Sequence, residues 1–116
     1  MILAVVTAAS AVGALCRYGL SGIIQRRDQT GFAVGTLTVN LIGAFLIGLL
    51  AGFDNLESTA SRIGVGFAGG LTTFSTWMIE TVRIGVTPLR WRALLNLVIP
   101  LVAGLALVVA GYSLTN

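Results

Sequence analysis

Residues 64–80 read GVGFAGGLTTFSTWMIE, and the fold turns on how this stretch is understood. It lies in a hydrophobic run of membrane-helix length, yet holds Gly69 and Gly70 followed by the hydroxyl residues Thr72, Thr73, Ser75 and Thr76. An unbroken apolar helix is the least costly way to cross a bilayer, because its backbone groups all bond internally. Paired glycines are tolerated there where the helix opens and the freed carbonyls find a partner. Half-helix ends at mid-membrane present carbonyls to cations and amides to anions. Beyond the glycines, Phe74 and Trp77 fall at i and i+3 on one face. Ring edges carry partial positive charge, and hydroxyls can replace part of an anion's water shell. The competing reading is a kinked packing helix whose threonines bond to their own backbone. The clustering of hydroxyls beside a Gly–Gly pair favours the pathway.

The rest of the chain fits a membrane setting. Of its 116 residues, 56% are hydrophobic and only 9% charged, with a mean hydropathy of +0.97. A soluble domain this small has a large surface to cover and needs far more charge. The net charge of +3 rests on arginines dispersed along the chain, with lysine and histidine absent, so no basic patch for nucleic acid forms. Cys16 is the single cysteine. It has neither a disulfide partner nor the neighbours of a nucleophile, and reads as a small packing residue. The N-terminus lacks a basic n-region and a clear cleavage site, so the first hydrophobic run reads as mature structure. Without histidine, a thiol constellation or paired carboxylates, an enzyme is not expected.

Four runs reach the ~20 residues a spanning helix needs: roughly 2–24, 31–53, 60–84 and 91–113. Short polar connections (QRRDQT, DNLEST and GVTPLRWR) make neighbours antiparallel and leave no room for a soluble domain. A single transmembrane domain of four helices over residues 1–116 is therefore expected. Arg26 and Arg27 lie in the first loop, and Arg90 and Arg92 in the third, with Arg83 just before it. The other side carries Arg62 beside Asp54 and Glu57. The positive-inside rule places loops one and three in the cytoplasm and both termini outside.

Polar groups inside spans are costly and mark function by default. Arg17, in GALCRYG, reads equally as a snorkelling residue near a helix end or as a functional one. Glu80 closes the third span, and an i,i+3 pair with Arg83 competes with a functional role. In the second span, Thr36, Asn40, Ala44, Gly48 and Gly52 share one helical face. Its small residues let another helix approach. The Asn40 amide can bridge two helices or donate to an anion, and spacing alone slightly favours the bridge.

At these residues the chain resembles the small bacterial fluoride channels of the CrcB/Fluc family. GFAGGLTTFSTW with its following glutamate resembles the family's third-helix signature, GTLTVNLIGAFLIG the second helix and GALCRYGL the first. The resemblance implies an all-α membrane protein of four transmembrane helices, the third broken at Gly69–Thr72. It further implies an antiparallel, dual-topology dimer that lets fluoride leave the cell passively and selectively. Phe74 matches the first phenylalanine of the pore box, Asn40 the pore-facing asparagine, Arg17 the first-helix arginine and Glu80 a glutamate after the box. Thr73, Ser75 and Thr76 complete the implied anion pathway, with Arg17 and Glu80 in structural or vestibule positions. The backbone carbonyls of Gly69 and Thr72 from two subunits would hold a structural sodium ion at the dimer centre, since neutral oxygen donors suit a hard cation.

Two positions depart from the family pattern. Trp77 stands where a second phenylalanine is expected, adding bulk and an N–H donor. The fourth span should carry a tyrosine or histidine and then a serine one turn on; aligned on Gly111, it offers Asn96, Pro100 and Gly104. Asn96 can still line a path, whereas Pro100 brings no hydroxyl and kinks a helix. With the arginine bias, these departures point to one half of a heterodimer of homologous subunits with one degenerate pore. The rival readings are a small multidrug or cation–proton transporter and a non-conducting membrane subunit. The transporter needs a membrane carboxylate in its first span, where this chain has only Arg17.

Overall fold

The computed structural model describes residues 1–29, 33–53, 57–88 and 90–116. The expected start of the second span at residue 31 and Asp54 of the second loop lie outside the described residues. Among those described, the chain forms helices α1 (Ile2–Arg27), α2 (Val34–Ala51), α3 (Thr59–Leu71), α4 (Ser75–Gly85) and α5 (Trp91–Thr115), with no strand. Three of them, α1, α2 and α5, are long and apolar enough to cross a membrane.

The helix ends follow local chemistry. α1 runs on through Arg26 and Arg27, beyond the expected end at residue 24. Cations in a last turn are favoured by the carbonyl end of the helix dipole, so polarity there does not stop the helix. Near the start of α2, the Gly35 N–H donates to Gln25 Oε1 at 3.0 Å, a cap supplied by the end of α1. α3 opens on Ser58, whose side chain accepts from the Ser61 N–H at 3.1 Å. Ser58→Ala should lower stability by about 0.5–2 kcal/mol, seen as a lower thermal midpoint in detergent; an unchanged midpoint would show that the cap contributes nothing.

Packing is inverted relative to a soluble protein. Leu101, Leu105 and Val109 of α5 stand exposed, while the interior is made of small and polar residues: Thr36, Val39, Ala68, Thr73 and Asn96. Helix association in lipid gains nothing from hydrophobic exclusion and depends on close van der Waals fit. α1 packs most extensively on α3, and α2 on α5; α2 also touches α1 and α3, and α4 packs on α5. At the α2–α5 crossing a side chain on Gly48 would fall on the backbone of Val108. The α2 face read from the sequence runs along this seam: Thr36 meets α4, Ala44 lines a groove against α5, and Gly52 abuts the end of α5.

Candidate functional site

Between α3 and α4 the chain passes through Thr72, Thr73 and Phe74, which belong to neither helix; the Thr72 N–H still donates to the Ala68 carbonyl of α3 and the Phe74 carbonyl accepts from Met78 of α4, leaving Thr73 as the residue outside both bonding ladders. α3 ends because Thr72 turns to extended geometry, with φ −85° and ψ 158°. Extended backbone inside a membrane protein must find partners elsewhere, and Asn40 of α2 provides them. The Thr73 N–H donates to Asn40 Oδ1 at 2.7 Å. Asn40 Nδ2 donates back to the Thr73 carbonyl at 3.0 Å. One side-chain amide thus satisfies both backbone groups of a buried residue and holds the non-helical segment open.

The neighbours complete the junction. Thr73 Oγ1 accepts from the Thr76 N–H at 3.3 Å, capping the first turn of α4. Thr72 Oγ1 donates to the Gly69 carbonyl at 3.2 Å. Arg17 Nη1 reaches the Thr72 carbonyl at 3.4 Å, a long bond that sets a positive charge beside the junction. Thr36 Oγ1 donates to Glu80 Oε1 at 2.7 Å, tying α2 to α4, while Glu80 Oε2 is buried without a hydrogen-bond partner.

A groove of about 330 Å³ opens on this junction. Asn40, Ala44, Thr72, Thr73, Phe74 and Trp77 form one wall; Pro100, Leu101, Gly104, Leu105 and Val108 of α5 form the other. Phe74 is 69% exposed, so its ring projects from the surface of the chain. It meets Trp77 edge to face, with centroids 5.8 Å apart and planes at 87°. The donors left over in this groove are specific. Asn40 Nδ2 has two hydrogens and spends one on Thr73. The Thr73 hydroxyl accepts from Thr76 and keeps its own proton to give. The groove therefore combines N–H and O–H donors with two aromatic rings and apolar walls.

A family model described as CrcB-like protein, Camphor Resistance (CrcB), matches residues 4–112. The chain belongs to the CrcB-like family. The resemblance read from residues 64–80 holds at that level. Among curated proteins, a chain of Mycobacterium bovis named fluoride-specific ion channel FluC 2 is 43% identical over 100 residues, 86% of this chain and 79% of the relative. Fluoride-specific ion channel FluC of Citrifermentans bemidjiense is 45% identical over 98 residues, covering 80% and 79%. The protein of the same name from Geotalea daltonii is 51% identical over 79 residues, 64% of each chain. Together with the apolar helices, these relatives make the chain a multi-pass membrane protein of a channel family.

In this CrcB-family chain the residues singled out from the sequence do not all meet in one place. Asn40, Thr72, Thr73, Phe74 and Trp77 converge on the groove. Ser75 and Thr76 lie exposed on the first turn of α4 and do not line it. Asn96 is buried beneath α4: its Nδ2 donates to Thr81 Oγ1 at 2.8 Å, and its carbonyl accepts from Trp77 Nε1 at 2.6 Å. It borders a separate cavity of about 240 Å³ with Leu37, Leu95 and Ile99. Thr81 was not singled out from the sequence; its spacing from Trp77 (i+4) is the only signal that could have found it.

Proposed function

We propose that this chain is a subunit of a fluoride-selective channel in a bacterial inner or plasma membrane, allowing passive fluoride exit and so giving fluoride resistance. The observation that carries the reading is the donor balance of the groove. The clamp on Thr73 uses an acceptor site of Asn40 and leaves one amide N–H and the Thr73 O–H to donate, a pair that can serve a small anion. Relatives named fluoride-specific channels support the choice of ion. Asn40, Thr73, Phe74 and Trp77 form the core of the pathway in this reading, with Ser75 and Thr76 at its margin, Asn96 behind it and Arg17 and Glu80 flanking the junction.

In this reading α3 and α4 are halves of one broken span, interrupted at residues 72–74 and not across Gly69–Thr72 as expected, since Gly69 and Gly70 stay helical; this gives four crossings in all with loops one and three in the cytoplasm. Phe74 projects beyond the subunit because the groove is closed by a second, antiparallel copy or homologue. The arginine bias favours a homologue held in the opposite orientation. The carbonyls of Gly69 and Thr72 are neutral oxygens of the kind sodium takes, and a side chain at Gly69 would meet nothing within 4 Å; the ion would have to share the Gly69 oxygen with the Thr72 hydroxyl and the Thr72 oxygen with the long Arg17 contact. One chain supplies two such oxygens, so the partner would have to supply the others. When bound, the ion would neutralise clustered carbonyl dipoles between the subunits.

Reconstitution tests the proposal. Liposomes carrying the chain with its homologous partner should release fluoride and retain chloride, read by ion-selective electrodes. Absence of fluoride release would overturn the channel reading. Robust release by this chain alone would overturn the need for a non-identical partner.

A further inference from the structure

Helix α5 contains a proline in its interior, and that proline removes one identifiable hydrogen bond. In an α-helix the N–H of residue 100 donates to the carbonyl of residue 96. Pro100 has no N–H, so the Asn96 carbonyl loses its helical donor. Asn96 is only 6% exposed, and an unpaired carbonyl buried this deeply is costly. The missing donor comes from another helix, because Trp77 Nε1 lies 2.6 Å from that same oxygen. The indole meets the one carbonyl that the proline leaves without its usual partner.

A second route joins the same residues. Asn96 Nδ2 donates to Thr81 Oγ1, and the Thr81 hydroxyl donates to the Trp77 carbonyl, each at 2.8 Å. Trp77, Asn96 and Thr81 therefore close a ring of hydrogen bonds that fastens α4 to α5 beside Pro100. An indole has a single donor. Once given to Asn96, it is not available to an ion in the groove, although the Trp77 ring lines that groove and stands edge to face with Phe74.

We propose that Trp77 is a positioning residue matched to Pro100: its N–H replaces the donor missing from α5, and so holds α4 and Phe74 in place instead of serving the anion. Only the last clause rests on the channel reading above. The two departures from the family pattern then have a common cause within a single chain. A phenylalanine at position 77 leaves the Asn96 carbonyl unpaired while Pro100 is present. A residue with an N–H at position 100 makes the indole donor redundant.

A double-mutant cycle separates this coupling from loss of ring volume, which W77F entails in either background. Trp77→Phe should lower the thermal midpoint of the purified protein by several degrees and slow fluoride release about tenfold, the scale set by one orphaned buried carbonyl. In a Pro100→Ala background the same substitution should cost much less on both readouts. Equal losses in the two backgrounds would overturn the pairing. A measurement on the unsubstituted protein does not depend on the variants folding. The Trp77 indole N–H resonance should lie downfield of that of Trp91, whose residue is 55% exposed, and should not move on addition of fluoride. A fluoride-dependent shift of that resonance would overturn the assignment of its donor. Non-additive midpoints with no fluoride release from the unsubstituted protein or any variant would uphold the pair and overturn the channel reading instead.

Discussion

Asn40→Leu should abolish fluoride release from reconstituted liposomes and destabilise the protein by about 2–6 kcal/mol, the sum of two buried backbone groups losing their partners. Leucine has the same number and branching of side-chain heavy atoms as asparagine, so no cavity is created and the loss is mainly that of the hydrogen bonds. It arises because Asn40 serves both the N–H and the carbonyl of Thr73, at 2.7 and 3.0 Å, on a residue only 8% exposed. Without the amide, Thr73 can satisfy its N–H only by donating to the Gly69 carbonyl, which continues α3 through the junction. That healing re-aims Phe74 and removes the Asn40 donor from the groove, so release fails even if the chain stays folded. Asn40→Asp is the sharper variant: a carboxylate still accepts from the Thr73 N–H but faces the Thr73 carbonyl with an oxygen. It should retain part of the stability and little of the release. If Asn40→Leu released fluoride at the normal rate, the clamp would be irrelevant to conduction.

The behaviour of Asn40 also shows where sequence reading succeeds and stops. The helical face containing Thr36, Asn40, Ala44 and Gly48 could be read from spacing, and it does lie along the central seam. Spacing offered bridging or anion donation as alternatives, but an amide has enough hydrogens to bridge to Thr73 and keep one. The bridge is the role the structure shows, and it leaves the second amide hydrogen for the proposed anion contact, because its partner is backbone and not another side chain. The helix boundaries at Arg27 and Leu71 differ in the same way. Local polarity suggested the first span should stop before Arg26, although a C-terminal dipole accepts those charges; the end of α3 depends on a residue in α2, far away in sequence. The Asn96 side chain suggested a pathway, but its carbonyl is the group that matters, and nothing near it in sequence identifies Trp77 as the donor.

The adjacent glycines Gly69 and Gly70 should respond in opposite ways to the same substitution. Both are helical residues of α3, so propensity alone predicts that alanine is favourable at each by about 0.5–1 kcal/mol. Packing decides otherwise. A side chain on Gly70 would overlap the Ser10 carbonyl and lie 3.0 Å from the Ala14 nitrogen, all backbone atoms of α1. Reciprocally, one on Gly13 of α1 would overlap the Phe67 carbonyl of α3. Two helices that approach backbone to backbone cannot admit a methyl by rotating a side chain; they must separate, losing the close contact that holds them together in lipid. Gly70→Ala should therefore cost about 3 kcal/mol or more, seen as a large fall in thermal midpoint and in the yield of folded protein. At Gly69 a methyl meets nothing within 4 Å in this chain, so Gly69→Ala should leave the chain's folding unchanged or slightly improved. Equal effects at the two positions would contradict the α1–α3 packing. If Gly69→Ala preserved the fold but prevented assembly, the open space beside Gly69 would be the place where a second subunit seats.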